Sequence, residues 1–123
     1  MASMALDLTA SVFREDGQPF LSARRVADTL GVTLSELAAL IGVARTTLTA
    51  KTGARRVDSA LSPLVRIITM AADMAGDEGR AAIWFKHQPL PGWGGKTALD
   101  LVRDGKGGTV LDYLESVRAG VYA

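Results

Sequence analysis

From Phe20 onward the apolar residues recur at helical spacing, segment after segment. No stretch alternates apolar and polar residues with β-branched enrichment, as a half-buried strand does. That periodicity restricts the chain to an all-α fold, and the breaks between segments mark where its helices start and stop. Ser22 can cap a helix running to about Leu30, with Val26, Ala27 and Leu30 on one face and Gly31 as the left-handed exit. Thr33 opens the next one. It stands in capping-box register with Glu36, so each side chain can satisfy the other's orphan backbone N–H. Leu34, Leu37, Ala38, Leu40 and Ile41 form the buried stripe of that helix, and Gly42 ends it. A third short helix is predicted from about Ala44 to Lys51, with Gly53 beyond it.

The stretch from Thr52 to Ser62 is polar. Ser62 as cap, followed by Pro63 at the first helical position, predicts the start of a long helix there. Leu64, Val65, Ile67, Ile68, Met70, Ala71, Met74 and Ala75 wrap most of its circumference. Such a helix must be buried on more than one side, between two subdomains or across a dimer seam. Asp77 restarts a helix through about His87, carrying Ala81, Ala82, Ile83, Trp84 and Phe85. Residues 88–95 then hold two prolines and three glycines, so they form a shaped loop rather than a helix. Thr97 caps Ala98 to Arg103, the glycine-rich run from Gly105 to Gly108 breaks the chain, and Thr109 to Arg118 form a last helix with Gly120 at its exit. The first twenty residues carry no decisive pattern.

Composition excludes several classes of function. With 123 residues the chain is one compact domain or two very small ones, and 48% hydrophobic against 22% charged residues is too apolar for a disordered chain. There is no cysteine and one histidine, so no disulfide framework, thiolate zinc site or histidine metal centre is expected, and no metal or cofactor is assigned. Met1 to Val12 contain neither Lys nor Arg and are interrupted by Asp7, unlike a secretory signal. No stretch approaches the roughly 18 apolar residues of a membrane span. A cytoplasmic protein is the expectation. The formal charge of +1 is too small to attract nucleic acid globally, so any such activity must come from clustered charge.

Such a cluster coincides with a motif. Residues 34–49 have the spacing of a helix-turn-helix: Ala38 is the small residue where two helices approach, Gly42 the turn, and Leu37, Ile41, Val43 and Leu48 the apolar set. Lys51 falls where a further apolar residue is usual, which predicts looser packing at the end of the second helix. The helix opening at Ala44 would be the recognition helix, presenting Arg45, Thr46, Thr47 and Thr49 to a major groove. Arg45 could pair bidentately with a guanine edge, and the threonines could meet phosphates or a thymine methyl. Between Ala44 and Arg66, the cations Arg45, Lys51, Arg55, Arg56 and Arg66 face Asp58 alone. The competing reading is a helical hairpin with a solvated basic face. One recognition helix covers little DNA, so a homodimer reading half-sites about one helical turn apart is expected.

The second half carries a different signature. Ile83 to Gly105, containing Pro89-Leu90-Pro91-Gly92-Trp93-Gly94-Gly95-Lys96-Thr97 and Leu99-Asp100-Leu101, resembles the Xre/MbcA/ParS-type toxin-binding domain. So does the ending, from Val110-Leu111-Asp112-Tyr113-Leu114-Glu115 through Ala119-Gly120-Val121-Tyr122-Ala123. That family pattern is an aromatic helix, a Pro loop, a Gly-Gly turn, a Leu-Asp-Leu helix and a short last helix ending in Gly-aromatic-Ala. The resemblance covers about residues 61–123, which divides the chain into a helix-turn-helix domain over 1–60 and a helical toxin-binding and dimerisation domain over 61–123. Preceded by a helix-turn-helix, the chain is similar to the antitoxin of RES–Xre modules. That resemblance implies a dimeric repressor of its own operon whose C-terminal region covers the active-site entrance of an NAD-degrading RES-domain toxin. The loop is richer in Gly and Trp than a common form of the pattern, and related antitoxins pair with ADP-ribosyltransferase toxins, so the toxin's chemistry stays open.

The loop's own chemistry points the same way. Proline fixes φ, glycine removes Cβ, and Trp93 has the size and amphipathic character of an interface anchor. Pro89, Pro91, Trp93, Gly94, Gly95 and Lys96 are therefore candidate toxin contacts. Val121, Tyr122 and Ala123 join them, because an aromatic just past a helix stop would otherwise stand exposed; the plain alternative is a frayed terminus. Trp84 and Phe85, at helical spacing among alanines, read as core. An enzyme is not expected. Gly95-Lys96-Thr97 resembles the end of a phosphate-binding loop, but that pattern needs glycine where Leu90 stands and a strand before it. His87 reads as a helix-end residue favoured by the macrodipole, and Asp100, Asp104, Asp112 and Glu115 read as solvated helix faces. The rival function is a stand-alone helix-turn-helix regulator whose C-terminal half only dimerises.

Overall fold

The computed structural model describes residues 12–15 and 17–120. Its elements are α1 (Ala23–Leu30), α2 (Leu34–Ile41), two 3-10 turns (Arg45–Thr49 and Lys51–Gly53), α3 (Ala54–Ala75), α4 (Glu78–His87), α5 (Ala98–Arg103) and α6 (Gly107–Arg118). No strand forms among the described residues, and extended pairing is confined to isolated bridges between Arg14 and Leu21 and between Pro89 and Thr97. The fold is all-α, with the helix-turn-helix part first and a helical part after it. No helix among the described residues is long and apolar enough to cross a membrane.

The helix starts read at Ser22, Thr33, Asp77 and Thr97 are capped as expected. Ser22 Oγ accepts from the Arg25 N–H at 3.3 Å, and Thr33 and Glu36 satisfy each other's N–H groups at 3.0 and 3.2 Å. Asp77 accepts from the Arg80 N–H at 2.7 Å, and Thr97 forms a reciprocal box with Asp100 at 3.2 and 3.1 Å. Each bond fills a donor that a helix start would otherwise leave open.

Three boundaries differ from expectation. α3 begins at Ala54, so the polar stretch before Ser62 is helical and Pro63 lies inside the helix. Ser62-Pro63 has the local chemistry of a helix start, yet Val57 and Leu61 are buried at 3% and 0% exposure, and their burial outweighs the single ladder bond that Pro63 removes. Ser62 does not cap; its hydroxyl donates to the Asp58 carbonyl one turn back at 2.8 Å. The short helix expected near residues 44–51 is a pair of 3-10 turns separated by extended Ala50. Only Leu48 is buried there, and threonines add little helix propensity, so nothing extends the first turn into an α-helix. The last helix starts at Gly107 rather than Thr109.

α3 is the spine. One continuous core lies along it, fed by Phe13, Leu30, Leu37 and Leu48 from the first half and by Phe85, Leu90, Leu101 and Leu114 from the second. Burying such a side chain contributes about 1.5–3 kcal/mol. The two-sided burial demanded by the sequence of α3 is therefore met between the two parts of one chain, although Met74 is 39% exposed. A smaller cluster of Ala71, Ala72 and Ala81 sets α4 close against α3, and Trp84 packs half-buried against both clusters. Phe85 is fully buried, as its core reading requires. The N-terminal turn is pinned from α3, where Asp58 Oδ1 accepts the Leu21 N–H at 2.7 Å.

Candidate nucleic-acid interface and partner-docking loop

The helix-turn-helix is built from α2 and the first 3-10 turn. Gly42, at φ 72°, ψ 33°, closes α2 and donates its N–H to Ala38, while the Val43 N–H reaches the same carbonyl at 3.1 Å. The chain then turns sharply, and Thr47 bonds back to Ala44 at 2.9 Å. Arg45, Thr46 and Thr49 are exposed and Thr47 is half-buried. Lys51 is exposed on the second 3-10 turn, and Arg55 and Arg56 on the first turn of α3. All seven candidate DNA-contacting residues thus belong to one continuous segment leading from the turn into α3. None of the Arg45, Lys51, Arg55 and Arg56 side chains has a hydrogen-bond or ion-pair partner among the described residues, so their charge is not neutralised locally.

The carboxylate of Asp58, the acid among these cations, is directed at the Leu21 N–H. Arg66 faces elsewhere, lying 3.9 Å from Glu115 on α6. Arg24 lies outside the residues singled out from the sequence. It is exposed on α1 and shares with Thr49 and Lys51 an open groove between the N-terminal turn and the second 3-10 turn. It lies two residues past the Ser22 cap, outside the Ala44–Arg66 stretch whose charge marks the motif.

The second candidate site is the loop after α4. Leu90 is buried at 2% exposure and anchors it, its N–H donating to the Lys96 carbonyl at 2.8 Å, while the Lys96 N–H closes onto the Trp93 carbonyl at 3.1 Å. With the Pro89–Thr97 bridge these bonds make a tight protruding turn. Gly92, Gly94 and Gly95 take φ of 81°, 62° and 85°, which side chains rarely adopt, and a Cβ at any of them would meet nothing within 4 Å. Pro89, Pro91, Trp93, Gly94, Gly95 and Lys96 are all exposed. Val121, Tyr122 and Ala123 lie outside the described residues.

The base of the loop is charged. Lys96 Nζ sits 2.7 Å from Asp104 Oδ2, and Lys106 Nζ lies 5.5 Å from the centroid of the Trp93 ring. The Lys96 hydrogen bond holds the Asp104 carboxyl below the usual carboxylate range. Asp100 is held low chiefly by the Thr97 N–H, with further help from the Thr97 hydroxyl and Arg103. Lys96 is therefore engaged by a carboxylate, and the loop follows a helix, so it is no phosphate cradle. His87 closes α4 beside Lys86, where a cation is favoured by the helix dipole.

Two family models match the chain, one after the other. Residues 13–64 match the antitoxin Xre-like helix-turn-helix domain, and residues 70–120 match the antitoxin Xre/MbcA/ParS C-terminal toxin-binding domain. The chain belongs with the Xre-type antitoxins. Both domain families are typically non-enzymatic, and the role they support is that of an antitoxin and regulator. Searches of curated proteins and of solved structures gave no significant match.

Proposed function

We propose that this chain neutralises a RES-domain, NAD-degrading toxin in the cytoplasm and, as a homodimer, represses its own operon. In this reading Pro89, Pro91, Trp93, Gly94, Gly95 and Lys96, with the tail of Val121, Tyr122 and Ala123, cover the toxin's active-site entrance and keep NAD out. Arg45, Thr46, Thr47, Thr49, Lys51, Arg55 and Arg56 contact operator DNA, two copies meeting half-sites about one helical turn apart. The division of labour falls near residue 60, with DNA binding before it and toxin binding and dimerisation after it. One observation carries the proposal: the exposed Pro/Gly/Trp loop lies in the part that matches a toxin-binding family, in the same chain as a helix-turn-helix segment whose Arg45, Lys51, Arg55 and Arg56 side chains are exposed and unpaired among the described residues.

The test is cellular NAD in a host expressing the neighbouring open reading frame, with and without this protein. NAD should collapse with the neighbour alone and recover on co-expression. If NAD never falls while the neighbour is still toxic and still neutralised, the partner is not an NAD-degrading enzyme, and protein ADP-ribosylation becomes the chemistry to assay.

A further inference from the structure

The loop is held from outside itself. Asp104 and Lys106 flank Gly105 in the turn between α5 and α6, and three backbone hydrogen bonds close that turn: the Asp104 N–H bonds Asp100 at 3.0 Å, the Gly105 N–H bonds Val102 at 3.0 Å, and the Lys106 N–H bonds Leu101 at 2.7 Å. From one side of Gly105, Asp104 takes the Lys96 ammonium at the end of the loop. From the other, Lys106 sets its ammonium on the face of Trp93 at the tip. Between those two points lie Gly94 and Gly95 at positive φ, residues with more backbone freedom to lose than any other type. Leu90 secures the near end by burial.

We propose that the α5–α6 turn is a two-pronged clamp that holds the Pro/Gly loop in its partner-binding shape, with Asp104 and Lys106 as positioning residues and Lys96 a strut. This rests on the reading of the loop as the toxin-docking element. Each prong is modest on its own, since a half-exposed ion pair and a surface cation–π contact are both weak. Acting on two points of one short loop, they remove the conformational freedom that docking would otherwise have to remove. The clamp also pairs the Lys96 charge with Asp104, while Lys106 keeps its charge beside the ring. The loop then presents Pro89, Pro91, the exposed part of Trp93 and bare glycine backbone next to one cation, a surface suited to a largely apolar concavity on the partner.

The clamp is tested in the full-length protein with Asp104→Asn combined with Lys106→Met, Lys106→Arg alone, and Trp93→Ala. Two quantities are read: amide exchange at Leu90 and Lys96 in the free protein, and affinity for the purified toxin encoded by the neighbouring reading frame. The double variant should speed exchange at both amides about tenfold and weaken toxin binding by a similar factor, while Lys106→Arg, which keeps a cation over the ring, preserves both. Unchanged exchange, faster exchange with undiminished affinity, or a Lys106→Arg variant as weak as the double variant overturns the clamp. If Trp93→Ala leaves affinity untouched, the loop is not the docking element and the clamp falls with it.

Discussion

Asp58 counts against the basic segment in any tally of charge, but its hydrogen bond assigns it a different task. It accepts the Leu21 N–H across 37 positions of sequence and ties the N-terminal turn to α3. Asp58→Ala should raise the local positive charge and still weaken the fold, by about 1–2 kcal/mol from the stranded donor, measurable as a lowered midpoint in urea unfolding. Gly53 is a second such residue. A Cβ there would stand 3.1 Å from Thr47 Cγ2 and 3.2 Å from the Thr47 carbonyl, so the two 3-10 turns touch through a position without a side chain. Gly53→Ala should displace Thr47 and reduce operator binding more than it reduces stability. Equal losses in an operator-binding titration and a melting curve would remove that position from the account.

At the scale of elements, Pro63 decides between two descriptions of α3. A proline at a first helical position is favourable and its replacement by Ala costs stability; a proline in a helix interior withholds an N–H and strains the turn before it. Because α3 begins at Ala54, Pro63→Ala should stabilise the protein by about 1–3 kcal/mol and raise its melting temperature. α5 offers a pH test. Asp100 is lowered from its ordinary value of 3.8, so its contribution is complete above that value and is lost as pH falls through the folded-state value. Helicity and stability should therefore hold from about pH 7 down to about pH 4 and fall below it, and Asp100→Asn should flatten that acid limb. The elements also show what sequence reveals. Ser22, Thr33, Asp77 and Thr97 are legible because a cap and its target lie three residues apart on one turn. The start of α3 is not, because Ser62-Pro63 is a strong local signal and the burial of Val57 and Leu61 that overrides it involves residues distant in sequence. The loop is legible from its prolines and glycines, but its hold by Asp104 and Lys106 depends on contacts eight and thirteen positions apart in the chain, which no periodicity marks.

For the whole molecule, the separation of charge should appear as salt dependence. Replacing Arg45, Arg55 and Arg56 together with Ala should lower the slope of log affinity against log salt by about 2–3 for the operator fragment, because each phosphate contact contributes about 0.9. A slope equal to that of the parent would move the nucleic-acid interface elsewhere. The other large-scale property follows from α3. Its 22 residues form a rod of about 33 Å whose buried face belongs to both halves of one core. Cutting at residue 60 would expose Leu61, Leu64 and Ile68 on one fragment and strip Leu37 and Leu48 of their cover on the other. The two halves are therefore poor candidates for exchange among relatives: a recombinant joined in mid-helix would have to match two packing surfaces and the helical phase at once. With the loop as the proposed toxin contact, a change of toxin specificity is reached more readily by substitution in residues 89–96 than by exchange of a half.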